Sequence, residues 1–151
     1  MGSVIEAAVD EIGKLPWKLR YFMLSDDDKA QLLDSVGMEI EEQTKERIDI
    51  TKTDPQGRKW DPWKESTRRY MQKHFPKAKL LWRNPAEGLL NSIEHQAGGR
   101  DSVIVGSSKE YAGYLQEGTR KMVARKFLGL GASDIAALQY DIAKFLMRKI
   151  S

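Results

Sequence analysis

The stretch that most restricts what this chain can fold into begins at Ser25-Asp26-Asp27-Asp28. A serine can cap the free N–H groups of a helix, and carboxylates in the first turn sit where the helix dipole is positive. Leu33, Val36, Ile40, Thr44 and Ile48 then recur at three- and four-residue intervals, with Glu39, Glu41, Glu42, Lys45, Glu46 and Arg47 between them. This spacing predicts a long amphipathic helix over about 26–49, with one apolar face to bury. Three adjacent aspartates also raise the question of a metal site. Consecutive helical residues point in different directions and no second ligand cluster has the right spacing, so the aspartates read as a cap and the helix as scaffold.

The 151 residues suffice for one domain with a sizeable core. No apolar run approaches the roughly 18 residues that span a bilayer, and no membrane contact is expected. MGSVIEAAVDEIG lacks the basic start, apolar stretch and small-residue cleavage site of a secretory signal. The absence of cysteine excludes disulfides, thiolate catalysis and thiolate metal sites. With two separated histidines, His74 and His95, and no nucleophile or carboxylate at a recognisable spacing, neither a zinc site nor acid–base catalysis is expected. Both histidines read as surface or packing residues. No nucleophile elbow or phosphate-binding glycine loop is present, so the expectation is a non-enzyme without cofactors.

The net charge of +3 conceals a polarity along the chain. Residues 1–49 carry 6 Lys/Arg against 12 Asp/Glu, residues 50–83 carry 10 against 3, and residues 84–151 carry 9 against 7. An acidic first third and a basic middle can meet within one fold, pair between neighbouring copies, or mark nucleic-acid contact.

Around the long helix the chain reads in order as follows. Val4, Ile5, Ala8, Val9 and Ile12 recur at helical spacing until Gly13 and Pro16, and Leu15–Phe22 reads as an aromatic linker. Asp54-Pro55-Gln56-Gly57 has the residue order of a tight turn. Glu65 to His74 reads as a short basic helix ended by Pro76. Leu80-Leu81-Trp82 is a short apolar run. Leu89 to Ala97 and Ser102 to Val105 flank Gly98-Gly99-Arg100-Asp101 and predict an antiparallel hairpin ended by Gly106. A short helix follows over Lys109–Gln116, with Gly118 as its stop, and Thr119–Val123 reads as a returning strand. Ser133-Asp134 caps a last helix whose apolar face is Ile135, Leu138, Ile142, Phe145 and Ile150. The predicted fold is a single α+β domain: a small antiparallel sheet packed by the long amphipathic helix and a C-terminal helix, with residues 1–25 as a candidate N-terminal arm.

Two surfaces stand out. Arg58, Lys59, Trp60, Trp63 and Lys64, followed by Arg68, Arg69 and Lys73, interleave basic and aromatic side chains. That pattern can stack on bases and neutralise phosphates, which makes the 58–83 segment a candidate nucleic-acid module. The competing reading takes Trp60 and Trp63 as packing anchors with the charges facing water. The second surface is Ala124–Leu130. There an arginine beside an aromatic has hot-spot composition, which makes Arg125, Phe127 and Leu128 candidate subunit contacts. On that reading Arg125→Ala impairs assembly and leaves the protomer folded.

The order Pro55-x-Gly57-x-x-Trp60, Gly88-Leu-Leu-x-Ser92-Ile93, Val105-Gly106-Ser107, Tyr111-Ala112, Gln116-x-Gly118 and Ala124-Arg125-x-Phe127-Leu128-Gly129 resembles the phage virion morphogenesis family. The resemblance covers about residues 30 to 135. It departs at Lys126, where the family has proline, and at Glu117, where it has an aromatic or apolar residue. It implies a non-enzymatic protein made in the bacterial host cytoplasm and built into the virion at the head–tail junction. Such a protein would complete or terminate the tail as a homo-oligomeric ring, often a hexamer. Its implied partners are tail tube or sheath proteins and the head connector, with non-specific DNA contact in the channel.

Overall fold

Three adjacent carboxylates do start the longest helix. In the computed structural model, which describes residues 3–13, 15–78, 88–99 and 101–150, Ser25 Oγ accepts from Asp28 N at 3.1 Å. The elements run β1 (Ser3–Ala8), α1 (Val9–Ile12), α2 (Leu15–Phe22), α3 (Asp26–Glu46), a π-helical turn (Arg47–Thr51), α4 (Glu65–His74), α5 (Leu89–Ser92), β2 (Ile93–Ala97), β3 (Ser102–Ser107), α6 (Ala112–Glu117) and α7 (Ala132–Ile150). The fold is α+β, as the sequence predicts.

The sheet is antiparallel in the order β1-β3-β2, with Ile5 opposite Val105 and Ile93 opposite Ser107. β3 has the β-branched run Val103-Ile104-Val105 that suits a central strand. Helix α3 lies on β2 and β3, and α7 packs on α3 and α2. The two long helices are antiparallel: Lys149 meets Asp28 at 3.4 Å at one end, and Asp134 meets Arg47 at 3.0 Å at the other. Val36 and Ile40 from α3, Val103 and Val105 from β3, and Leu138, Ile142 and Leu146 from α7 form the common core. Burying each such side chain favours folding by about 1.5–3 kcal/mol.

Gly37, in the middle of α3, is where helix and sheet come closest. A Cβ there would lie 2.5 Å from the His95 ring and 2.8 Å from Val103 Cγ2. At the end of α3 the helix widens into the π turn, where Lys52 N donates to Arg47 O at 2.9 Å. Such a turn shifts the helix register within one residue step. Arg47 and Ile48 thereby point inward while Ile50 is exposed.

Several expectations are corrected. Val4–Ala8 is a strand and not helix, because Ile5, Ala7 and Val9 face the core while Val4 and Glu6 face out, and β3 supplies hydrogen bonds along its length. Leu15–Phe22 is helical, and Tyr21 is fully buried with its hydroxyl donating to Asp101 Oδ1 at 2.8 Å. The elements β1, α1 and α2 thus pack into the sheet and core through β3 and α7. Leu89–Ser92 is a single helical turn before β2. Thr119–Val123 makes only an isolated bridge between Thr119 and Met122, closed through Arg120 and Lys121. Leu80-Leu81-Trp82 lies outside the described residues.

Candidate functional site

The predicted contact loop is held into the protomer by side-chain hydrogen bonds that tie it to Arg47, Trp60, Asp61 and Gln116 around it. Phe127 and Leu128 are buried, and Arg125 is 8 % exposed. Arg125 Nε and Nη2 donate to the carbonyls of Asp61 and Pro62 at 2.8 and 2.9 Å. Gln116 Oε1 accepts from the backbone N–H groups of Phe127 and Leu128, and its Nε2 returns a bond to Leu128 O. Trp60 Nε1 donates to Lys126 O at 2.7 Å. Arg47 completes the frame: Nε donates to Phe127 O, Nη2 to Gly129 O and Nη1 to Asp134 Oδ2, each at 3.0 Å.

The tight turn closes this frame. Gly57 N donates to Asp54 O at 3.0 Å, and Asp54 Oδ1 accepts from Gln56 and Arg58 N–H groups. Pro55, at its second position, is buried against the loop: a Cβ on Gly131 would come within 1.8 Å of Pro55 O. The motif around Pro55 and Trp60 and the motif around Phe127 and Gly129 are thus two halves of one interlocked unit. Beside it lies a cleft of about 450 Å³ between α3, the turn and the start of α7, lined by Gln43, Arg47, Thr51 and Asp134 among others. Burial lowers the Arg47 pKa while Asp134 opposes that shift, and the ion pair is only 7 % and 13 % exposed at its two side chains.

The sequence candidates therefore part company. Arg125, Phe127 and Leu128 face into the protomer, because the loop backbone needs partners for its polar groups and its apolar side chains fill the space beneath. Trp60 is buried and Trp63 half-buried, which leaves no paired tryptophan face for bases to stack on. Arg58, Lys59, Lys64, Arg68, Arg69 and Lys73 are exposed. Arg58 pairs with Asp54, Arg68 and Arg69 pair with Glu65, and Lys59 and Lys64 reach the carbonyls of Thr51 and Lys121. Arg47, Gln116 and Asp134 carry the frame without having been singled out. Arg47 left one legible signal, since it stands on the apolar stripe of Ile40, Thr44 and Ile48.

His95 is the other departure. Its ring sits against Gly37, with Nδ1 2.6 Å from Glu41 Oε2 and Nε2 2.8 Å from Asp34 Oδ1. Burial favours its neutral form, but the hydrogen bonds it donates to Glu41 and Asp34 outweigh burial and raise its pKa above the ordinary 6.5. Glu41 also bonds Lys45 at 2.9 Å. A folded-state pKa above the unfolded one gives stability that is complete below about pH 6.5 and fades as pH rises through the folded value. His95→Gln is expected to remove up to about 1 kcal/mol at pH 6 and little at pH 8.5, because the group is partly solvated. Urea titrations of both proteins at the two pH values check this, and a loss independent of pH would refute the charged clamp.

Outside the frame, two surfaces stay open among the described residues. None of the residues of α4 is buried, and Tyr70 is exposed with its ring 4.5 Å from that of His74. Between α3 and α7 runs an open groove of about 350 Å³ floored by Leu32, Val36, Leu138 and Phe145.

The family description "Phage virion morphogenesis family" matches this chain over residues 10–147. Among curated proteins, "Mu-like prophage FluMu G protein 1" of Haemophilus influenzae is 32 % identical over 97 residues, 64 % of this chain and 63 % of that relative. The match thus spans a little under two-thirds of the relative's length. No solved structure matches.

Proposed function

The chain belongs to the phage virion morphogenesis family and is a phage virion assembly protein, and from that premise we propose that it acts at the head–tail junction. It completes or terminates the tail as a homo-oligomeric ring and joins it to the head, working through surfaces and not through catalysis. Its partners on this reading are copies of itself, the tail tube or sheath, and the head connector. The observation that carries the reading is the match over residues 10–147, which takes in the whole interlocked frame. The frame supports a non-catalytic role, since Arg47, Gln116, Arg125 and Asp134 are committed to holding backbone. Loss of the protein should leave filled heads and tails that do not join, or tails of uncontrolled length, in electron micrographs of lysates. Normal, infectious particles formed without it would end this reading.

A second reading rests on α4, whose exposed Arg68, Arg69 and Lys73 offer a basic stripe to DNA. It requires affinity for duplex DNA that falls steeply with salt. A flat titration at low salt would remove it.

A further inference from the structure

Two surfaces with no extensive packing partner among the described residues are complementary to each other. Helix α4 has ten residues, none buried, and no element among the described residues packs extensively on it. A helix of this length is marginal in water by itself, so its persistence calls for a partner surface. The α3–α7 groove has the opposite need. The cleft is open above Leu32, Val36, Leu138 and Phe145, which are themselves buried, and Met38 stands exposed at its rim.

The charges agree in sign and in direction. The groove is lined by the acids Glu39, Glu42 and Asp141 and, further along α7, by Lys144 and Arg148. No basic side chain among the described residues forms an ion pair with any of the three acids. Burial raises the Glu39 pKa first, and the hydrogen-bonded Asp141 carboxylate and the nearby Glu42 raise it further. This crowding is what an approaching cation relieves. Helix α4 is polarised in the matching way, with Glu65 in its first turn and Lys73 and His74 in its last. The groove from Leu32 to Glu42 and the ten residues of α4 each span about 15 Å at helical rise.

We propose that α4 of one copy docks in the α3–α7 groove of the next copy, with Arg69 and Lys73 facing Glu39, Glu42 and Asp141 and Tyr70 against the apolar floor. The two surfaces are different patches of one protomer, so the contact is head-to-tail and closes only as a ring or continues as a filament. This inference rests on the ring reading above and names the surfaces that build the ring.

The test uses two full-length variants. One carries Glu42→Lys and Asp141→Lys in the groove, and the other carries Arg69→Glu and Lys73→Glu on the helix. Native mass measurement and sedimentation, with and without purified tail tubes, follow assembly, and thermal unfolding checks that each variant stays folded. Wild type is expected to assemble, and each variant alone to weaken self-association about 10-fold or more. An equimolar mixture is expected to recover assembly, because the intact helix meets the intact groove and the Glu-bearing helix meets the Lys-bearing groove, each pair opposite in charge. Rings that survive in both variants overturn the docking while leaving the ring reading in place. Helix variants that lose DNA retention but still assemble assign α4 to DNA and overturn it too. A wild type that stays monomeric with and without tubes removes the inference and the ring reading together.

Discussion

Arg47→Ala is expected to lower the unfolding free energy by about 3–5 kcal/mol, the range for removing one partner of a buried ion pair. The side chain donates to two loop carbonyls and to Asp134, all at 3.0 Å, and is 7 % exposed. Without it the carbonyls of Phe127 and Gly129 lose those bonds, and Asp134 keeps only the Gly131 N–H at 2.9 Å. Such a loss is a large fraction of the roughly 5–15 kcal/mol available to a domain. Arg47→Lys should recover little, since an ammonium cannot reproduce the planar fork that serves three acceptors at once. Urea unfolding measures both variants. A loss below about 1 kcal/mol for Arg47→Ala would show that the frame is not held this way.

Phe127→Ala is expected to cost a similar amount, about 3–5 kcal/mol, through lost burial and the cavity left behind. Phe127 is fully buried, beneath a backbone whose N–H is taken by Gln116 and whose carbonyl is taken by Arg47. The result separates two roles for the loop. A core residue lowers the unfolding midpoint of the isolated protomer, whereas a contact residue leaves the midpoint unchanged and weakens assembly. Arg125→Ala belongs with it, at about 1–3 kcal/mol for two lost hydrogen bonds from a charged donor. The expectation of a folded but assembly-defective Arg125→Ala is thereby reversed: the structure assigns that side chain to holding Asp61 and Pro62. An Arg125→Ala protein with unchanged unfolding would restore the contact reading.

Much of the scaffold was readable from the chain because the signals are local. Ser25 and three aspartates start α3, Glu65 and His74 bound α4, and the Asp54–Gly57 turn closes with its expected hydrogen bond. Each depends on dihedral preference, capping or dipole chemistry within a few residues. The candidate site was less readable. The motif residues around Trp60 and Phe127 were singled out, but composition alone could not tell an arginine and aromatic at an interface from the same pair inside a core. His95 was read as an unremarkable surface or packing residue, because Asp34 and Glu41 lie 61 and 54 positions away.

By itself, then, the sequence determined the long capped helix, the basic short helix, the turn, the α+β class and the family resemblance. All of these follow from periodicity or from residues in fixed order. Tertiary structure alone decided that Val4–Ala8 is a strand, that Arg47 points inward, and that Arg125, Phe127 and Leu128 of the Ala124–Leu130 loop do too. A short, mostly apolar segment such as Val4–Ala8 can pair as a strand or coil as a helix, and here pairing with β3 supplied the hydrogen bonds that chose the strand. A buried arginine is costly unless its donors are met, and only the folded arrangement brings Phe127 O, Gly129 O and Asp134, 80 to 87 positions away, within reach of Arg47.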